Sequence, residues 1–452
     1  MNATLVFQGA IIHSITPSTL EVLDEATLVI TDGRIVAFHK TKHEIPRDTI
    51  PHDATFHRLK PGEFLIPGFV DTHNHAPQWP MRGRGQGLHI LDWLNQVTFP
   101  VESRFEDPAY AARIYDHTVD DFLRHGITTA SYYSSRHAEA TCILADTCHR
   151  KGQRAFVGKC NMDRNAPEYI CESDAETSLR ETKECIRHIH DLSSGGIKET
   201  NALVRPVVTP RFAISCTSEL LRGLGAIVKH DPTLAIQTHF NEAQQEIDAT
   251  KELFPEFNGS EADLYESFGL LSERSILAHC TIMTDYEKER LASLQCGIAH
   301  CPIANMTVGG GFMVAPIRDF MRRGLKVGLG TDSGGGWASQ MLAVIRAAMI
   351  ASNAQEVLSG GKDKALSLDE VFHLATLGGA KVLCLDDCIG NFAVGKEFDA
   401  VWVTTTTGLQ STMTPVEEDD SLRTVFEKFV LTGDDRNITN VYVRGRRVAG
   451  SA

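Results

Sequence analysis

The sequence predicts an α/β chain built as a (β/α)8 TIM-like barrel, with a small β-sandwich formed from both chain termini. Three observations predict it. Through the middle of the 452 residues, short apolar β-rich runs alternate with helical stretches, the rhythm of parallel βα units. Both ends carry turn-linked strand candidates. Histidines and an aspartate close several of the middle strands, and barrels of this class place their chemistry at the C-terminal strand ends.

Residues 1–66 read as the N-terminal part of the sandwich. Runs at 26–30 and 35–38 are joined through Thr31-Asp32-Gly33-Arg34, where Asp-Gly supplies the positive φ angles of a tight hairpin. Residues 67–384 read as the catalytic barrel. Its eight expected strands cover 64–71, 126–133, 154–159, 204–211, 234–239, 275–279, 297–301 and 325–332. Residues 385–452 complete the sandwich, with runs at 399–404 and 441–448, the latter a hairpin turning at Arg444-Gly445. Neither end is long enough to pack alone, so the two are expected to pair.

The chain carries 44 Lys plus Arg against 58 Asp plus Glu, a net charge of −14 that argues against binding a nucleic-acid backbone. No apolar run approaches the roughly 18 residues of a membrane helix, and the best stretch, 342–351, is interrupted by Arg346. The first residues lack a basic segment followed by an apolar one, so a cytoplasmic protein is expected. Eleven cysteines, odd in number and without a C-x-x-C pair, read as reduced, mostly buried thiols.

The strongest local signal is Asp71-Thr72-His73-Asn74-His75, because residues i and i+2 of a strand share a side and can present two imidazoles to one cation. His239 ends the fifth expected strand, His279 the sixth and Asp332 the eighth. Together, His73, His75, His239 and Asp332 form a set of three nitrogens and one oxygen that suits zinc or iron(II), with a position left open for water. Such a cation lowers the pKa of that water toward about 7. Glu242, three residues beyond His239, is placed to handle protons without being a ligand.

These motifs resemble the amidohydrolase superfamily, and within it the guanine deaminase branch. The similarity covers segments 67–78, 152–159, 208–212, 328–332, 374–380, 389–400 and 433–438, from about Leu65 almost to the C-terminus. The metal motifs point to the superfamily, whereas Thr209-Pro210-Arg211-Phe212 and Gly433-Asp434-Asp435-Arg436-Asn437 point to the branch. The resemblance implies hydrolysis of guanine to xanthine and ammonia in purine catabolism, with a homodimer by analogy. It assigns zinc to His73, His75, His239 and Asp332, and orientation of the attacking water to His279. Asp332 would accept a proton from that water, and Glu242 would pass protons to the purine. Gln78, Arg211 and Phe212 would recognise the base, with His75, His239, Glu242 and Asp332 also lining its site. Binuclear relatives carry a bridging lysine at the end of the fourth strand. Here that strand closes in Thr209-Pro210-Arg211, so one zinc per subunit is expected and Lys159 reads as a structural charge.

The loop at 79–89 is richer in Arg and Gly than the branch leads one to expect, and Phe240-Asn241 before Glu242 is unusual. Arg82 and Arg84 are read as solvated loop charges, with capping of the pocket as the alternative. A different zinc-deaminase pattern, H-x-E with P-C-x-x-C, is half matched by His137-Ala138-Glu139, but the chain has no Pro-Cys pair. Another aminated purine, pyrimidine or triazine is the alternative substrate. A metal-free scaffold is disfavoured because every ligand position is filled.

Overall fold

In the computed structural model, residues 4–41, 50–193, 202–308, 313–407 and 411–450 are described. The central strands are Phe69–His75, Ile127–Tyr133, Arg154–Gly158, Val204–Pro210, Ala235–Phe240, Ser275–His279, Gly297–His300 and Lys326–Leu329. They pair side by side in that order, always in parallel. Strands buried on both faces read as unbroken apolar runs rather than alternating ones, which is why the sequence shows them clearly. Ser275–His279, for example, is buried along its whole length.

The barrel closes between its first and last strands through specific hydrogen bonds. Thr72 Oγ1 donates to the Leu329 carbonyl at 2.9 Å, and Asp332 N donates to the His73 carbonyl at 2.9 Å. The buried Asp71 carboxylate accepts from both Thr331 N (2.9 Å) and Thr331 Oγ1 (2.6 Å). The seam therefore fixes the two strand ends that carry His73, His75 and Asp332.

Helices form where an apolar stripe can face this barrel. In Ala175–Asp191 the buried residues are Ala175, Ser178, Thr182, Cys185 and Ile189, spaced as one helical face, and Asp174 caps the start by accepting from Thr177 N. Ala138–Lys151 stops at Gly152, whose φ of 84° provides the left-handed cap. Among the described residues one helix, Met341–Leu358, is long and apolar enough to span a membrane by length and composition. Its inner face, including Met341, Val344, Ile345 and Ala348, is buried in the core, and Arg346 donates to the carbonyls of Val430 and Gly433. Arg346 thus anchors a core helix rather than interrupting one.

The termini join in one continuous eight-stranded sheet. Thr4–Thr16, Thr19–Thr31, Arg34–His39, Thr55–Arg58 and Glu63–Pro67 come from the N-terminal side, and Ala400–Thr404, Ile438–Val443 and Arg446–Gly450 from the other. Both expected hairpins turn on paired positive φ angles, Asp32 (51°) with Gly33 (78°) and Arg444 (48°) with Gly445 (72°).

One expected strand is corrected. The apolar run at 64–71 divides at Gly68, so that Glu63–Pro67 pairs with Thr4–Thr16 and Ala400–Thr404, while Phe69–His75 pairs inside the barrel. Pro67 cannot donate to a ladder, and a Cβ at Gly68 would lie 2.1 Å from Thr128 Oγ1. The chain crosses between the two sheets where only glycine fits.

Candidate active site

The site is assembled at the C-terminal rim. His73 and His75 leave the first strand on one side, and a register shift between Asp71 and Asn74 re-aims that strand end. Four non-glycine residues at this rim hold left-handed backbone: Asn241 (φ 45°), His279 (75°), Cys280 (50°) and Asp332 (44°). Such conformations cost about 1–3 kcal/mol each and gather where geometry is functional. At His279 and Asp332 the turned backbone carries the side chain that faces the cluster.

His75 Nε2 lies 3.1 Å from His239 Nε2, while Asp332 Oδ1 lies 3.4 Å from His73 Nε2 and 3.7 Å from His75 Nε2. Ligand atoms bound at about 2.0–2.1 Å to a tetrahedral cation stand about 3.3 Å from one another. His73, His75 and Asp332 form one close donor cluster, and His73, His239 and His279 another. His73 Nε2 is buried with no protein hydrogen-bond partner, as a metal ligand requires.

The tautomers are set from behind. The Arg211 carbonyl accepts from His239 Nδ1 at 2.6 Å, leaving the Nε2 lone pair aimed inward. Asn305 Oδ1 accepts from His279 Nδ1 at 2.8 Å, and His279 Nε2 faces Glu242 Oε2 at 3.6 Å. Burial, followed by the neighbouring cationic groups, holds His73, His75 and His239 well below the usual histidine range, which keeps them neutral and able to ligate.

Glu242 is presented by the pair that looked unusual in sequence. Phe240 is buried in the core, and Asn241 adopts the left-handed turn that asparagine tolerates, its amide donating to Glu287 Oε1 at 3.0 Å. Glu242 N donates to Glu246 Oε2 at 2.6 Å, and its carbonyl accepts from Thr281 Oγ1 at 2.6 Å. Burial, followed by repulsion from Asp332, pushes the Glu242 carboxyl up to about 8.

A small cleft opens above these groups, lined by His75, Gln78, Arg211, Phe212, His239, Glu242 and Asp332. Every expected base contact therefore faces one space. Ile90, Trp93, Leu94 and Val308 form an apolar wall that sequence reasoning did not single out. Trp93 and Leu94 lie where the helix Ile90–Trp93 meets the π-turn Leu94–Thr98, a run that reads as ordinary core. Glu102 was also missed. Its carboxylate binds Arg211 through two hydrogen bonds, at 2.6 and 3.1 Å.

The remaining candidates fall outside the cleft. Arg82 pairs with Asp121 at 3.2 Å and covers the Trp79 ring, and Arg84 is exposed. Lys159 is a buried partner of Glu172. His137 occupies the N-terminal boundary of the helix Ala138–Lys151.

Comparison with known proteins decides the family. The family model for the amidohydrolase family matches residues 64–448. The chain belongs to the amidohydrolase family. Its relatives place it among the guanine deaminases: it is 40% identical to a probable guanine deaminase of Schizosaccharomyces pombe, over 98% of this chain and 83% of that one. It is 39% identical to the guanine deaminase of Dictyostelium discoideum, over 98% of both chains. Among solved structures, guanine deaminase from C. acetobutylicum with bound guanine superposes with a TM-score of 0.87 at 31% identity, covering 98% of this chain and 99% of that one. The histidine and aspartate cluster is a donor set that could hold a metal ion, as fits this metal-dependent family.

Proposed function

We infer that this amidohydrolase deaminates guanine, releasing xanthine and ammonia. The carrying observation is that a neutral-histidine metal cluster and the Gln78, Arg211 and Phe212 group line one cleft, in a chain akin to guanine deaminases throughout its length.

We propose one zinc ion per subunit, held by His73, His75, His239 and Asp332. When bound, that ion supplies acidification of a water ligand toward a pKa of about 7. The chain's own groups do the rest. Phe212 covers one face of the planar base, and Arg211 donates to its carbonyl oxygen. Gln78 pairs with a ring edge and turns C2 toward the histidine cluster. His279, its outer nitrogen tied to Asn305, orients the attacking water with Nε2. Glu242, 3.6 Å from that nitrogen, passes a proton from the water to the ring nitrogen beside C2. Asp332 passes the second proton to the amino group, which leaves as ammonia while the C2 carbonyl forms. One water is consumed, and its two hydrogens end on the ring and on ammonia.

We further propose a cytoplasmic homodimer divided at 1–66, 67–384 and 385–452. All eleven cysteines are free thiols, which supports a reducing compartment, and the dimer rests on family likeness. The test is ammonia release from guanine, adenine, cytosine, 8-oxoguanine and triazines, with and without a chelator. Selective, chelator-sensitive release from guanine supports the reading. Preference for a triazine or adenine, or indifference to metal removal, overturns it.

A further inference from the structure

Glu102 sits at the end of the helix Phe99–Glu102, and its side chain is 1% exposed. It touches neither the histidine cluster nor the cleft surface, yet both of its oxygens are engaged by residues that do line the cleft. Oε2 accepts from Arg211 Nη1 at 2.6 Å, and Oε1 accepts from Arg211 Nη2 at 3.1 Å and from Gln78 Nε2 at 2.8 Å. One carboxylate thus holds the two polar groups that face the base.

An ionised carboxylate can only accept hydrogen bonds. Gln78 must therefore turn its nitrogen toward Glu102 and its oxygen the other way. Gln78 Oε1 is buried without a partner, and a Cβ on Gly334 would fall 2.0 Å from it. The oxygen lies against bare backbone that no larger residue would leave free. Arg211 is fixed in the same manner: two nitrogens grip Glu102, Nη1 also lies 3.9 Å from Cys160 Sγ and from Met162 Sδ, and the guanidinium lies 5.2 Å from the centre of the Phe99 ring. The cleft is consequently offered one acceptor, from Gln78, beside the donors of Arg211.

We propose that Glu102 is the positioning residue that sets this donor and acceptor order, and with it the choice of base. The order selects a heterocycle that presents an N–H to Gln78 and a carbonyl oxygen to Arg211. A base with an amino group in place of that carbonyl turns donor against donor. The inference rests on the guanine reading and refines it by naming what enforces the selection.

The test compares steady-state kinetics of the metal-loaded wild type, E102Q, E102D, Q78E and the exchange variant E102Q/Q78E on guanine and 2,6-diaminopurine, which carries an amino group in place of the carbonyl. In E102Q the new amide can donate to Gln78 Oε1, freeing the Gln78 amide to flip and weakening the hold on Arg211. The guanine KM is expected to rise about tenfold or more with kcat within about threefold, and the preference for guanine over 2,6-diaminopurine to fall about tenfold. E102D stays acceptor-only and is expected to keep that preference despite a higher KM. The exchange variant restores a carboxylate facing an amide, and is expected to recover guanine kcat/KM above both E102Q and Q78E. A guanine KM within twofold of wild type in E102Q overturns the proposal. So does a kcat loss at constant KM, or an exchange variant no better than the more active of E102Q and Q78E. If E102Q does not fold, as judged by its melting curve and metal content, E102D and the exchange variant decide by the same criteria. Wild type inactive on guanine would refute the functional reading instead, and the Glu102 comparison then runs on whichever base the wild type does turn over.

Discussion

The two ends of the barrel each bury an arginine, and they use it in opposite ways. At the N-terminal end, Arg154 donates to Glu397 Oε2 at 2.6 Å and to Asp399 Oδ2 at 3.2 Å. All four oxygens of those carboxylates are taken, because Arg34 and Arg444 complete the set. At the C-terminal end, Arg211 has Glu102 as its one carboxylate partner among the described residues, touches Cys160 Sγ and Met162 Sδ at 3.9 Å, and lines a cleft. Orphaned buried atoms also gather there, among them His73 Nε2, His279 Nε2 and Gln78 Oε1. With every carboxylate oxygen engaged, and Arg154 Nη1 the atom of its guanidinium left without a partner, that network clamps one sheet to another. Unpaired polar atoms grouped around one cleft mark instead a place for a ligand, since such atoms in a protein interior are costly and persist where something binds.

The contrast yields expected outcomes. At the chemical end, Glu242→Gln should lower guanine kcat by about 10²–10⁴ while zinc content stays near one equivalent, measured by steady-state assay and metal analysis. Retained turnover would remove Glu242 from proton transfer. At the structural end, Arg154→Met leaves two acidic groups without their main partner, and should destabilise the fold by about 3–5 kcal/mol in denaturant titration. The guanine KM of the folded fraction should not move. A changed KM would show that the two ends are not independent.

The bottom network also has a pH signature. Burial works against ionising Glu397, but Arg154 and Arg444 more than offset it and hold its carboxyl below the usual range. A depressed folded value gives stability that is present at neutral pH and disappears as pH falls through that value. Wild type should therefore lose more stability than Arg154→Met between pH 7 and acid, read from melting temperatures across the series. Parallel curves would mean that the network contributes nothing through Glu397.

Smaller effects sharpen the comparison. Asp71→Asn weakens the seam that holds Thr331 beside His73, and should lower metal affinity about 10–100-fold by competition with a chelator, the usual effect of disturbing an outer-shell partner. Arg82→Ala removes a partly exposed pair with Asp121 and should change stability by less than about 1 kcal/mol and guanine kcat/KM hardly at all. A large kinetic effect there would return the Arg and Gly loop to the pocket.

The rim was legible because strand-ending histidines follow short buried runs whose period and position are local signals. His239, His279 and Asp332 could be placed from such runs alone. The break at Gly68 was masked because both halves of the run at 64–71 are apolar and buried, so the local Pro67-Gly68 signal reads as a kink within one strand rather than as a change of sheet. Glu102 was hidden for another reason: it lies 109 residues from Arg211 in the chain, on a four-residue helix beyond a π-turn. Pairing over that distance leaves no periodicity to read. Trp93 and Leu94 were hidden by ordinariness, since an apolar cleft wall and an apolar core share one composition.

Arg211 meets the two halves of the site with different atoms. Its carbonyl fixes the ring of His239, and its guanidinium is held by Glu102 beside the cleft. Every amino acid has that carbonyl, so replacing the side chain leaves the histidine's anchor in place. Ligand preference can drift at this position through successive mutations while the hydrolytic machinery is inherited intact, a route by which one scaffold diversifies among heterocycles without rebuilding its reaction.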